Sequence, residues 1–256
     1  MTRETRPLRR LLVGNDVVDL ERVRTRDPGV HERFLDRVLS HAERSAVDSD
    51  PDWLWPIWAA KETAFKVATK VRGEAPVFAH RTFETTLRTT PDGWEGWVVW
   101  EDVRVRADVR RAPGVVHAVG VVADPASPAV DSEPVMTDTV RVGLARMDAP
   151  AAPWSAPLED LLERFTAAER DAIHRRESAA VRLAAREALA EALGVEEARL
   201  EIVCAPGSIG RRPPQVRLDG RAAAADVSLS HDGPWIAWVC SLPDVPEGPG
   251  SPGERS

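Results

Sequence analysis

The chain has 256 residues, room for one or two domains with a substantial core. Apolar residues make up 43% and charged residues 29%, which is ordinary for a globular protein, and a net charge of −7 excludes a generally basic nucleic-acid binder. No apolar run approaches the roughly 18 residues of a membrane span. The basic start MTRETRPLRRLLVGNDVVDL has too short an apolar run for a signal peptide. Cys204 and Cys240 make neither a disulfide framework nor a zinc site, so a reducing cytoplasm is the expected location.

In chain order, residues 11–20 (LLVGNDVVDL) read as a buried strand entering a turn or helix. Helical spacing over 32–47 puts Phe34, Val38 and Leu39 on one face. After the loop DSDPD, residues 53–70 read as a helix with Pro56 in its first turn. Residues 77–123 carry β-signals with alternating faces and a PDG turn, predicting a small antiparallel sheet. The Pro-, Ala- and Ser-rich stretch beginning DPASPAVDSEP predicts a linker over 124–137. A strand over 139–148 opens the second half, helices follow at 158–175 and 178–193, and Gly194 supplies a C-cap. Strands then close the half at 198–205, 214–220 and 225–240, and residues 243–256 read as a disordered tail. The expected organisation is α+β, with two similar lobes (1–123 and 138–242), each an opening strand, helices and closing antiparallel strands.

Lysine usage is uneven. Of 34 basic residues only Lys61, Lys66 and Lys70 are lysines, and all three share one ten-residue window. Arginine cannot replace lysine where a compact point charge on a flexible stem is needed. This segment therefore calls for lysine as such.

Three groups of residues carry chemistry. Asp16 of Gly14-Asn15-Asp16 shares a strand face with Leu12 and Val18, where a carboxylate must be paired or bind a metal. The alternative is a turn aspartate capping the next helix. Trp58, Glu62 and Lys66 stand at i, i+4 and i+8 on a largely apolar helix. A carboxylate and an ammonium there suit a hard cation and phosphate oxygens; the alternative is an exposed ion pair worth about 0.3–0.5 kcal/mol. Ser228-Leu229-Ser230-His231 meets a turn at Asp232-Gly233, with no Gly-x-Ser-x-Gly elbow, so a serine hydrolase is not indicated. His231 is then a site residue or a structural strand-end histidine. Gly210-Arg211-Arg212-Pro213 is a basic turn and Arg182 lies on an Ala-rich helix; both also fit plain surface charge.

GNDVVDL followed by WAAKETAFK resembles the 4′-phosphopantetheinyl transferases, whose marks are a Gly-x-Asp strand and a Trp-x-x-Lys-Glu-x-x-x-Lys helix. APGVVHAVGVVAD resembles the last strand of their metal-binding lobe. In the second half, VRVGLARMD, SAAVRLAAREALAEALG, GRRP and SLSHDGPWIAWV resemble the coenzyme-binding lobe of the large, two-lobe type. The likeness spans about residues 11–242, with the lobes in the opposite order, as in a circular permutation related by a pseudo-twofold.

The resemblance implies transfer of the phosphopantetheine arm of coenzyme A to a serine of an acyl- or peptidyl-carrier protein, releasing 3′,5′-ADP. It implies a cytoplasmic monomer with no nucleic-acid or membrane partner. Asp16 and Glu62 would hold Mg²⁺, Lys66 would neutralise phosphate charge, and Glu62 would accept the serine proton. Arg182, Arg212, Ser230 and His231 would meet the phosphates of coenzyme A. An acidic carrier helix would dock near Arg3, Arg6, Arg9, Arg10, Arg22, Arg24 and Arg26. The chain departs from the family at Val18, where the large type has a second carboxylate, and Asp19 follows as in the small trimeric type. It also departs at Arg211-Arg212 in the basic turn, and at Glu169 and Ala172, where lysines are expected. Those departures keep open a non-catalytic coenzyme A-binding regulator or scaffold; a metal-dependent phosphohydrolase using the same Asp16, Glu62 and Lys66 is a further alternative.

Overall fold

The computed structural model describes residues 10–24, 28–76, 79–125, 139–149, 152–207 and 210–242. The tail, most of the linker, and Arg3, Arg6, Arg9 and Arg26 lie outside these residues. The chain opens with β1 (Leu11–Asp19), α1 (Leu20–Arg24), α2 (Pro28–Val38), α3 (His41–Ser49) and α4 (Leu54–Arg72). The strands β2 (Glu84–Thr90), β3 (Gly93–Trp100), β4 (Val103–Ala112) and β5 (Val115–Ala123) complete the first half. The second half contains β6 (Val140–Arg146), α5 (Leu158–Leu162), α6 (Ala167–Arg170), α7 (Arg176–Leu193), β7 (Leu200–Val203), β8 (Gln215–Leu218), β9 (Arg221–Ala222), β10 (Asp226–Asp232) and β11 (Trp235–Ser241). The architecture is α+β with antiparallel sheets, as expected.

Two expected helices are broken. The 32–47 segment divides because Ser40 is extended and forms a capping box with Glu43, which starts α3. The 158–175 segment divides in the same way at Thr166, whose box partner is Glu169. The closing strands of the second half also separate: β10-β11-β6 form one sheet and β7-β8-β9 another.

The first sheet has the order β1-β5-β4-β3-β2. Strand β4 alternates, with Val103, Val105, Ala107 and Val109 buried, so one face meets the core. Strands β1 and β5 are buried on both faces. One face packs on α4, where Ala60, Ala64 and Val67 meet Val18, Val105 and Ala118. The other face packs on the second sheet through Val13, Val119 and Val121 against Val239, and Val17 and Val115 against Ala237. Helix α7 covers the far side of that sheet through Val181 and Ala184 on Ile236. The layers therefore run α4, sheet, sheet, α7.

Two paired glycines set the spacing of the first two layers. Gly14 and Gly120 are register partners on β1 and β5. A Cβ on Gly14 would lie 2.5 Å from the Thr63 carbonyl oxygen, and one on Gly120 would lie 2.6 Å from the Thr63 methyl. Glycine lets α4 lie directly on β1.

Among the described residues the outer edge of β1 has no backbone partner strand. Its N–H groups are met instead by alternate side chains of β10. The N–H of Val13 donates to Asp226 (2.8 Å), Asn15 to Ser228 (3.1 Å), Val17 to Ser230 (3.2 Å) and Asp19 to Asp232 (2.9 Å). The carbonyls on the same edge accept from Ser241 at Leu11 (2.6 Å), Lys70 at Val13 (2.7 Å) and Lys66 at Asn15 (2.7 Å). Lys70 also donates to Asp226 (2.8 Å) and to the Val227 carbonyl (2.7 Å), which binds α4 to the second half. Burial pushes the Lys70 ammonium below its ordinary pKa and Asp226 opposes that shift.

A buried polar pair lies between the two sheets. Asn15 Nδ2 donates to His117 Nε2 (3.4 Å), and Asn15 Oδ1 has no partner among the described residues. Burial, aided by the Lys66 charge, holds the His117 pKa at about 4.

Two outcomes follow. Lys70→Met should leave Asp226 as an uncompensated buried charge and cost about 3–5 kcal/mol in urea unfolding, where a surface pair would cost under about 1 kcal/mol. His117 is neutral in the fold and takes a proton at ordinary pH only when unfolded. Its contribution to stability is thus complete above about pH 6.5 and is lost progressively as the pH falls toward about 4. Chemical denaturation across that window should show a loss of about 3 kcal/mol that is absent from His117→Asn.

Candidate functional site

Strand β1 and helix α4 deliver the central groups. Lys66 Nζ lies 2.7 Å from the Asn15 carbonyl and 3.1 Å from Asp16 Oδ1. Ser230, from β10, donates to Asp16 Oδ1 (3.0 Å) and accepts from the Val17 N–H. Asp16 is thus held by one group from each half. Burial raises its pKa, Lys66 opposes that rise, and the charge of Glu62 adds to it. A carboxylate pressed this way is one that a cation would relieve.

Glu62 sits one turn before Lys66 on α4. It accepts from His80 Nε2 (3.1 Å), whose ring stacks on Trp58 with centroids 4.5 Å apart. The expected face of Trp58, Glu62 and Lys66 therefore exists, and His80 joins it from the turn at His80–Thr82.

His231 follows Ser230 but projects from the opposite face of β10, and it is exposed. Displaced water around it pushes its pKa down. Glu177 and Asp232 oppose that shift, while Lys66 and Arg175 reinforce it. Arg175 and Glu177 flank the start of α7, so that helix end, His231 and Lys66 share one electrostatic neighbourhood.

The two arginines are placed differently. Arg182 is buried inside the second half, where it donates to the Ser178 carbonyl (2.9 Å) and to Cys204 Sγ (3.4 Å); its Nε has no partner among the described residues. Arg212 is exposed and lines a cleft of about 520 Å³ with Arg10, Arg72, Gln215, Lys70 and Asp226. The cleft meets the Val13 end of β1, next to the Lys70 contacts. Its neighbour Arg211 is bound to Asp171. Of the amino-terminal arginines, Arg10 pairs with Asp124 and Arg22 with Asp232.

Three of the departing residues have structural roles. Val18 belongs to the core under α4. Asp19 lies on the other face of β1 from Asp16, where it accepts from the Glu21 N–H (3.1 Å). Glu169 is fully buried and accepts from the Ile202 N–H (2.9 Å). Two of the clustered lysines hold the structure together. Lys61 is buried and donates to the Val38 carbonyl (2.8 Å), Glu43 (2.6 Å) and the His80 carbonyl (3.1 Å). Lys70 serves the β1 edge. Sequence reasoning missed His80, which no periodicity links to Glu62. It also missed Asp226 and Asp232 as edge partners, although polar residues at every second position of DVSLSHD signal such a face.

Among the described residues no three or more His, Cys, Asp or Glu side chains form a metal cluster. Asp16 and Glu62 still fit Mg²⁺, which binds through one or two carboxylates and takes its remaining ligands from phosphates and water.

Residues 12–95 match the family model of the 4′-phosphopantetheinyl transferase superfamily. The match covers about a third of the chain and supports a transferase-type activity in general terms. It contains Asp16, Glu62, Lys66 and His80; Arg182, Arg212, Ser230 and His231 lie beyond it. No curated protein matches the chain. Among the described residues no helix is long and apolar enough to cross a membrane.

Because burial and Glu62 together disfavour the Asp16 carboxylate, Asp16→Asn should melt at a higher temperature than the wild type in metal-free buffer. Mg²⁺ with coenzyme A should then raise the melting temperature of the wild type by more than that of the variant, as read by calorimetry.

Proposed function

We propose that the chain moves the 4′-phosphopantetheine arm of coenzyme A to a serine hydroxyl of an acyl- or peptidyl-carrier protein, releasing 3′,5′-ADP. It works as a cytoplasmic monomer whose two lobes, 1–123 and 138–242, are joined through 124–137 and related by a pseudo-twofold. The observation that carries this reading is Ser230 of the second half bonded to Asp16 of the first (3.0 Å), beside Lys66 and Glu62. That bond brings a residue of the second half to the carboxylate and ammonium of the first.

In the reaction the serine oxygen forms a bond to the phosphorus of the arm. The bond from that phosphorus to the bridging oxygen breaks, and that oxygen leaves as part of the 5′-phosphate of 3′,5′-ADP. Such a transfer depends on positioning and charge neutralisation. Asp16 and Glu62 would hold Mg²⁺, which when bound neutralises pyrophosphate charge. Glu62 accepts the serine proton. An ammonium has three N–H donors. Lys66 gives two to Asn15 and Asp16, which leaves one for a phosphate oxygen. His231 and Arg212 meet the coenzyme phosphates from the second half. Arg182 contributes from inside that lobe by supporting the coenzyme-facing surface, and Ser230 by fixing Asp16.

Apo-carrier incubated with coenzyme A and Mg²⁺ should gain the mass of the arm, with 3′,5′-ADP appearing only when carrier is present. Release without carrier would mark a phosphohydrolase, and coenzyme binding without release a regulator or scaffold. Glu62→Gln keeps size and helix propensity, so it should fold normally and lose about 10²–10⁴-fold in transfer rate at saturating Mg²⁺. Lys66→Arg should also fold and lose at least about tenfold, because a planar fork does not fit where Nζ touches the Asn15 carbonyl.

A further inference from the structure

We infer that His80 is a positioning residue that fixes Glu62 for the reaction, an inference that rests on the transferase reading above. The family-like motif supplies Glu62 and Lys66; His80 lies 18 residues further along, on a separate turn. Its Nε2 is 3.1 Å from Glu62 Oε1. An ionised carboxylate only accepts hydrogen bonds, so the bond requires the imidazole proton on Nε2.

The imidazole is held before any substrate arrives. One face stacks on Trp58 at 4.5 Å with the rings 18° from parallel, and Trp58 in turn packs on Phe34 at 4.9 Å. The His80 carbonyl accepts from Lys61 Nζ and from the Phe83 N–H, both at 3.1 Å. Ring and backbone are thus anchored independently. Lys61 is itself fully buried, so the anchor is part of the core.

The chemical consequence falls on Glu62. A glutamate on a helix surface has three side-chain torsions to order before its carboxylate can serve a cation or take a proton. With Oε1 held by His80, part of that ordering is done before substrate arrives. Hydrogen-bonded partners of this kind are worth about 10–100-fold in metal affinity or activity when removed. Trp58 gains a role as well: it is the platform for His80, which explains an aromatic residue one turn before the glutamate.

The experiment compares His80→Leu and His80→Gln with the wild type in carrier modification, melting temperature and imidazole ¹⁵N NMR. His80→Leu should melt like the wild type, lose about 10–100-fold in kcat, and keep its KM for coenzyme A within about twofold. His80→Gln, which retains an N–H donor, should recover most of the loss. The wild-type His80 signal, assigned by its disappearance in His80→Leu, should show a protonated Nε2 at mildly alkaline pH and should move in Glu62→Gln. Unchanged kcat in His80→Leu, no recovery in His80→Gln, or an Nε2 without a proton would each overturn the inference. A wild type that transfers nothing would sink the transferase reading instead, and the NMR measurement would still decide whether His80 holds Glu62.

Discussion

The structure depends on how one unpaired strand edge is satisfied. Backbone N–H and C=O groups buried without partners would each cost on the order of 1–3 kcal/mol. β1 lies against both α4 and the second sheet, so water is not available to most of its outer edge. Four side chains of β10 take its N–H groups, and Ser241, Lys70 and Lys66 donate to its carbonyls. The constant offset of 213 residues along these N–H contacts makes β1 and β10 run side by side in the same direction. A side-chain ladder of this kind joins the two halves without merging their sheets.

The same edge explains the lysines of α4. Lys61 and Lys70 each meet three acceptors, and two of the three in each case are main-chain carbonyls. A compact ammonium can satisfy three converging oxygens in a small space; a planar guanidinium cannot. Lys66 stands between them in sequence and is the least buried of the three, with only two acceptors. The fold and the proposed chemistry thus share one helix and one residue type. The approach of that helix to β1 is permitted by Gly14 and Gly120, which give up side chains so that Lys66 can reach Asp16.

The site is held against its own electrostatic preference. Asp16 is half-buried and lies near the charge of Glu62, so its carboxylate is disfavoured, and Lys66 and Ser230 relieve it. The surrounding core keeps the carboxylate in place: Val18 follows it into the α4 interface, and Val13 and Val17 are fixed by the second sheet. Pre-placed charges of this kind suit phosphoryl transfer, in which the protein chiefly positions groups and neutralises charge.

Periodicity alone determined the α+β class, β1, most of α4, and the face shared by Trp58, Glu62 and Lys66, because each is a local property of spacing. The clustering of Lys61, Lys66 and Lys70 was also visible in the sequence, though not their separate duties. Helix ends at Ser40 and Thr166 were written there as capping boxes and were hidden by apolar spacing that continued across them. Only the tertiary structure decided which residues meet across long separations. It paired Asp16 with Ser230, Lys70 with Asp226, and Glu62 with His80, and it withdrew Val18, Asp19 and Glu169 into core, turn and cap. The reason is physical: a strand edge or a carboxylate takes whichever partner packing brings within about 3 Å, and that choice is made by the whole fold and not by neighbours in sequence.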